Sequence, residues 1–394
     1  MPHAVKLFTP YAGLSIFRGE KIIYGAFEKP HTVISTCRVN GGIREDIEFV
    51  ANHQACEPRP CPGEKHGKCL AVKDPQGYHW LVCEYHGLPP EKTVLLGTAA
   101  NMNLAGFSKE SFDVPETNEK IIVFCVATAG VETNAGRAGD PSQVFEWNGK
   151  FFPLTDRGTI NILLFINQEL APCALVRAVI MATEAKTAVL QELNVPSRYS
   201  KGLATGTGTD QIAIAALKNG ILPLRGAGKH VKLGELLAKA VKAAVREALA
   251  RQNKRTPESI RYAPKLLERF GLGEEAFFEK IKAILPEPYH TWLHRNRYAV
   301  LSDTGFLSAV LAFVHLLDQH AWGVIPEDNR EALLQQGALV AVALSGKDEK
   351  FAEFKEKLSA YIEPEKILLS AVAFGFQEKW QVPYYDYEGE EKED

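Results

Sequence analysis

No stretch of this 394-residue chain stays apolar over the ~20 residues a bilayer-crossing helix needs. The greasiest run, residues 306–317, is interrupted by Ser308 and His315. No long apolar stretch follows the first residues either, so no secretory leader is expected. Charge of one sign is also missing: 45 Lys and Arg stand against 48 Asp and Glu, a formal net charge of −3. That balance gives no broad pull toward nucleic acid or membrane, and neither is expected as a partner. Seven cysteines, an odd number in a chain of this length, do not make a disulfide scaffold. Reduced thiols in a cytoplasmic protein fit better.

Common chemical signatures are lacking as well. There is no H-E-x-x-H, no C-x2-C pair, no Walker loop, no dinucleotide fingerprint and no G-x-S-x-G elbow. Cys56, Cys61, Cys69 and Cys83 do lie near His53, His66, His79 and His86 in sequence. Their spacing is not that of a zinc site, so the expectation is reduced cysteines in a strand-rich region and no metal.

What is present alternates in character. Up to about residue 120 the chain reads as strands and turns, with β-rich runs at 21–27 and 31–36, a turn at Asn40-Gly41-Gly42 and a surface loop at 57–68. Residues 121–127 and 159–166 are apolar runs rich in β-branched residues and predict buried strands. Pro172 opens a helix to about residue 193, two short strands at 203–205 and 211–215 flank a glycine turn, and a helix follows over 233–251. From residue 256 the pattern is helical, ending in an acidic tail over 387–394. The expected fold class is α+β: a layered sheet-and-helix domain over 1–250, then an all-helical region over 251–386, with a doubly wound parallel sheet as the alternative.

Three stretches carry candidate chemistry. Residues 127–141 follow a strand and combine small residues with Asn134, Arg137 and Asp140, groups able to orient amides or carboxylates. In the helix after Pro172, Val176, Val179, Ile180, Thr183, Lys186, Thr187 and Leu190 share a stripe at 100° per residue. A lysine there needs an anionic partner, loses its proton easily, or snorkels to water. Glu184 falls on the polar side with Arg177 and Gln191. The turn Thr205-Gly206-Thr207-Gly208-Thr209-Asp210 exposes backbone amides and hydroxyls suited to an oxyanion, or forms a plain tight hairpin. His230, after Gly226-Ala227-Gly228-Lys229, is either a proton shuttle or a surface group.

In their order these stretches resemble the adenosylcobinamide amidohydrolase family. The resemblance also rests on Val39-Asn40-Gly41-Gly42-Ile43, Asn52-His53-Gln54, Leu96-Gly97-Thr98-Ala99-Ala100-Asn101-Met102, Gly158-Thr159-Ile160-Asn161-Ile162 and Ala182-Thr183-Glu184-Ala185-Lys186-Thr187-Ala188. It covers nearly the first 250 residues and does not extend past about residue 285. It implies hydrolysis of the amide joining a corrin propionate to aminopropanol, with the corrinoid as substrate and no cofactor required; self-association is left open. Chemistry then assigns the roles: Glu184 or Asp210 as base for water or a threonine hydroxyl, Lys186 or His230 as proton donor to the amine. Thr205, Thr207 and Thr209 would bind the oxyanion, and Asn134, Arg137, Asp140, Asn40 and Asn161 the substrate. A corrinoid carrier without catalysis, a transferase holding phosphate on the Thr-Gly turn, and a metal-centred structural protein are the rival readings.

Overall fold

The computed structural model describes residues 4–55, 70–142, 145–148, 150–152, 158–287, 289–326 and 330–380. Cys56, Cys61, His66 and Cys69, the 57–68 loop and the 387–394 tail lie outside the described residues. The chain divides into two units, Met1–Pro257 and Glu258–Asp394. The break falls slightly beyond residue 250 because Arg251 and Arg255 turn back on the first unit, donating to the carbonyls of Ala105 and Leu193 at 2.7 and 3.0 Å.

In chain order the first unit contains β1 (Val5–Tyr11), β2 (Leu14–Gly19), β3 (Ile22–Phe27), β4 (His31–Ser35), β5 (Gly42–Arg44), β6 (Phe49–Gln54), α1 (Leu70–Lys73) and α2 (Pro75–His86). There follow β7 (Thr93–Thr98), β8 (Gly106–Asp113), β9 (Lys120–Ala129), β10 (Ala135–Gly136), β11 (Phe145–Trp147), β12 (Lys150–Phe152) and β13 (Ile160–Ile166). Then come α3 (Pro172–Glu192), β14 (Gly206–Thr207), β15 (Gln211–Leu217) and α4 (Lys232–Asn253).

Two sheets stack face to face. One has the order β1-β2-β3-β6-β7, the other β5-β4-β15-β13-β9-β8. Only β6 with β7 and β13 with β15 run parallel among the main-sheet pairs. The parallel pair β13–β15 sits in mid-sheet, and its sequence, apolar but for Asn161 and the leading Gln211, is what coverage on both faces demands. Between the sheets, Leu14, Ile16, Val94 and Leu96 share a core with Phe124, Val126, Leu163 and Phe165. The Phe165 ring lies against Gly25, where a Cβ would stand 2.6 Å from it. On the far face of the second sheet, α3 and α4 bury alanines and leucines against β9, β13 and β15. On the far face of the first, α2 packs Val82 and Cys83 against Ile22, Ala51 and Leu95. The unit is therefore layered α-β-β-α, an α+β arrangement with a mixed rather than wholly parallel sheet.

Helix α2 departs from the expectation of strands and turns before residue 120. Asp74 caps it by accepting from the Gly77 amide at 2.8 Å, Pro75 occupies its first turn and Gly87 closes it at φ 70°. His79 and Cys83 thus ride a helix, not a strand.

The second unit, among its described residues, is helical: α5 (Ala263–Leu267), α6 (Glu274–Lys282), α7 (Tyr289–Leu301), α8 (Thr304–Ala321), α9 (Arg330–Ser345), α10 (Phe351–Leu358) and α11 (Pro364–Lys379). Phe277, Phe306, Phe313, Phe354 and Phe376 fill its core. Helices α9 and α11 approach closely because Gly375 brings its backbone onto the Ala341 carbonyl, which a Cβ would meet at 2.6 Å. No single helix among the described residues is long and apolar enough to cross a membrane; α7 and α8 pass that test only as a pair bent by 85°.

Candidate active site

The N-terminal ends of β13 and β15 meet the small ribbon β10–β14 and build a polar cluster. The ribbon pairs Ala135 with Thr207 and Gly136 with Gly206, so the 127–141 loop is laid against the Thr-Gly turn. That turn therefore does not close a hairpin with β15. Asp210, one residue before β15, has its carboxylate filled by four donors. Oδ1 accepts from the Ile160 amide at 3.0 Å and the Thr207 hydroxyl at 2.6 Å; Oδ2 accepts from the Thr207 amide at 3.1 Å and from the Lys186 ammonium. Lys186 is only 6 % exposed, so its charge has an internal partner and it does not snorkel to water. Gly206 leaves room for the pair: a Cβ would stand 2.5 Å from Asp210 Oδ2 and 2.6 Å from Lys186 Nζ.

Around this pair the loop residues interlock. Asn134, 3 % exposed, donates from Nδ2 to the Gly158 carbonyl at 2.6 Å, while its Oδ1 has no hydrogen-bond partner. A buried acceptor left open this way costs free energy until a donor reaches it. Gly158 (φ 127°) leaves that oxygen room, since a Cβ there would come within 2.4 Å of it. Thr209 donates to the Gly158 carbonyl at 2.9 Å, and Thr159 returns a bond to the Thr209 carbonyl at 2.6 Å. The Thr205 hydroxyl accepts from the Ala138 amide at 2.8 Å. Asp140 accepts from the Arg137 amide at 2.8 Å and from the Ser197 hydroxyl at 2.5 Å. Burial works to raise the Asp140 carboxyl, but the bonds from Ser197, Ser200 and Arg137 outweigh it and hold the group below the usual carboxylate range. The Arg137 guanidinium reaches the Leu203 carbonyl at 3.3 Å.

The structure thus brings together Lys186, Asp210, Thr205, Thr207, Thr209, Asn134, Arg137 and Asp140. Three other candidates lie elsewhere, and a fourth, Asn161, meets the cluster only through the Thr159 hydroxyl, 3.4 Å from its Oδ1. Glu184 is two residues from Lys186, about 200° around the helix, and pairs on the surface with Lys229 at 2.5 Å. His230 is exposed in a separate cavity near the start of α3. Asn40 (φ 57°) spends its amide on the carbonyls of Pro90 and Thr93, both at 2.8 Å, fastening the β4–β5 turn. Asn161 is fully buried between the sheets, donating to Asn52 Oδ1 at 2.8 Å and the Gly97 carbonyl at 3.0 Å. Asn52 in turn donates to the Thr128 hydroxyl at 2.9 Å. These asparagines brace the scaffold, because their amide hydrogens are already spent.

The helical stripe also needs correction. Val176 and Ile180 are 51 % and 52 % exposed, whereas Lys186 and Leu190 of the stripe are buried, on a face shared with Ala174, Leu175, Ala178, Met181, Ala182, Ala185 and Val189. Ser197 and Thr159 join the cluster without having been singled out as candidates. Thr187, which donates to the Thr205 carbonyl at 2.9 Å, and Gln191, which donates to the Ala204 carbonyl at 2.9 Å, tie the turn to α3. Their i, i+4 spacing was the readable signal. For metal, no group of three or more His, Cys, Asp or Glu converges among the described residues. Cys83 lies 3.8 Å from His79 Nε2, its thiol pushed up to about 12 chiefly by burial.

A layered α+β unit with a buried ammonium–carboxylate pair beside hydroxyls and an open amide oxygen is suited to acyl chemistry. Residues 7–257 match the adenosylcobinamide amidohydrolase family, and the chain belongs to that family of amide hydrolases. An uncharacterised protein of Methanocaldococcus jannaschii is 36 % identical over 238 residues, covering 58 % of this chain and 85 % of that protein. Two solved structures are more distantly similar, each 11 % identical and covering 68 % of this chain. The PH0078 protein of Pyrococcus horikoshii (91 % of that chain) has a TM-score of 0.33. The L-aminopeptidase D-Ala-esterase/amidase of Ochrobactrum anthropi (90 % of that chain) has a TM-score of 0.29. At those scores they carry no inference about chemistry.

Proposed function

We propose that this chain hydrolyses the aminopropanol amide of adenosylcobinamide, giving adenosylcobyric acid and 1-amino-2-propanol in corrinoid salvage. Membership of the family supports amide hydrolysis on a corrinoid. The observation that carries the residue roles is the Thr207 hydroxyl, 2.6 Å from an Asp210 carboxylate that also holds buried Lys186.

In this reading Thr207 Oγ1 adds to the amide carbonyl carbon while its proton passes to Asp210, a hydroxyl–carboxylate contact at the distance of an activated nucleophile. The Lys186 ammonium gives a proton to the nitrogen as the C–N bond breaks and regains one from Asp210 through their direct hydrogen bond. Water then cleaves the threonine ester and restores the hydroxyl. Gly208 and Thr209, both exposed, would offer backbone amides to the oxyanion. Asn134 Oδ1, with no partner of its own, is suited to an amide N–H of the substrate, and the Arg137 guanidinium to a carbonyl.

The test is incubation with adenosylcobinamide and mass detection of both products, for the wild type, T207A, T207S and D210N. The reading expects turnover in the wild type, partial turnover in T207S and none in T207A. Full turnover in T207A would move the nucleophile to water. Absence of product with the wild type would end the assignment.

A further inference from the structure

Some nine residues up α3 from Lys186, about 13 Å along the helix axis, lies a concave surface that the amide-cleaving cluster does not use. It is a cavity of about 430 Å³ lined by Cys173, Arg177, Arg225, Gly228, Lys229 and His230, among others. It sits beyond the C-terminal ends of β13 and β15, where Leu170 and Leu224 form a parallel bridge and the chain turns into α3 and α4. Ligand sites of sheets with neighbouring parallel strands favour that end.

Its charge is not balanced from within. Lys229 is neutralised by Glu184. Arg177 and Arg225 have no carboxylate partner among the described residues, which leaves two uncompensated cationic residues lining one cavity. The Arg177 guanidinium lies over the glycine loop, where a Cβ at Gly228 would stand 3.3 Å from Nη1. The first turns of two long helices also open on the cavity: Cys173 belongs to the first turn of α3 and Val231 is the residue before α4, and neither helix has a side-chain cap. Both helix dipoles therefore add positive potential where the two arginines already stand.

We propose that this cavity is a binding site for a phosphoryl group, separate from the amide-cleaving cluster. Two planar donor forks and two helix ends match a tetrahedral dianion in charge and in number of acceptors. His230, expected as a proton shuttle, serves here as a further donor at the rim.

Cys173, exposed on the cavity wall, provides the readout. The full chain is alkylated with iodoacetamide, and modification of the Cys173 peptide is followed by mass at increasing inorganic phosphate or pyrophosphate. Sodium chloride at matched ionic strength is the control. Saturable protection by phosphate beyond that of chloride is expected. It should be weakened about tenfold or more in R177Q/R225Q, an amount equal to roughly one lost charge-assisted contact. E184Q, which frees Lys229, should tighten protection several-fold, a gain that misfolding cannot imitate. Protection no greater than that of chloride, or protection unaltered in R177Q/R225Q, overturns the proposal.

Discussion

Helix α3 handles positive charge in opposite ways along its length. At Lys186 the ammonium is buried and matched inside the protein by Asp210, which three further donors hold in place. At Arg177 the guanidinium is open to solvent beside a cavity and is matched by nothing among the described residues. An internal match fixes a geometry at the cost of desolvating both ions. An open charge fixes nothing until an anion arrives. Burial, not charge, distinguishes the two settings.

The largest effects should come from breaking the internal match. K186M leaves the Asp210 carboxylate buried without its counter-ion and should cost about 3–5 kcal/mol, read by denaturant unfolding, with loss of turnover. The double variant K186M/D210L should not restore that stability, although hydrophobic replacement of a buried pair often does. Here the amides of Ile160 and Thr207 and the Thr207 hydroxyl would lose their acceptor. Full recovery in the double variant would show that the pair stands alone.

His31 sharpens the contrast as a buried group kept neutral. It lies between the Lys29 carbonyl at 2.8 Å from Nδ1 and the Tyr11 hydroxyl at 3.1 Å from Nε2, stacked on Phe27. Burial lowers its pKa from 6.5 to about 4, against a smaller raising effect of the Lys29 carbonyl. The unfolded chain therefore binds the proton more readily between those values. The His31 contribution to stability is complete above pH 6.5 and is lost as pH falls toward about 4, a change of order 3 kcal/mol. H31Q should flatten that part of the stability–pH curve.

Smaller effects follow from G206A, whose added methyl intrudes on both members of the Lys186–Asp210 pair. About 1–3 kcal/mol of destabilisation and a marked fall in turnover are expected in thermal melts and product assays. The smallest belongs to the solvent-exposed Glu184–Lys229 pair. E184Q should shift stability by less than about 1 kcal/mol and leave turnover intact, whereas a catalytic Glu184 would show itself by a large loss.

Much of this is legible in the sequence. Strand β13 is announced by an apolar run broken only at Asn161, and α3 by Pro172 at its start, because both signals are local. Lys186 was legible as a lysine in need of an anion, but its partner is 24 residues away and only tertiary structure supplies it. The stripe on α3 was misread because Val176 and Ile180 look like core residues, whereas the sheet accepts alanines that let the helix come close. Gly106 shows the same closeness for α4: a Cβ there would meet the Ala244 carbonyl at 2.0 Å. Helix α2 escapes a sequence reading because its aromatic residues Tyr78, Trp80 and Tyr85 mask its period, although Asp74, Pro75 and Gly87 mark its ends. Asn40 and Asn161 look like ligand groups in sequence, and nothing local reveals that carbonyls of other segments already occupy them.

The buried chain Thr128–Asn52–Asn161 has a further consequence. Oil-like packing between two sheets tolerates sliding, because one aliphatic contact replaces another at little cost. An amide chain does not, since a shift of one residue pair would strand its donors in a dry interior. The asparagines therefore act as a detent that fixes the two layers in one alignment, and the loops that leave the strand ends inherit that alignment without having to encode it.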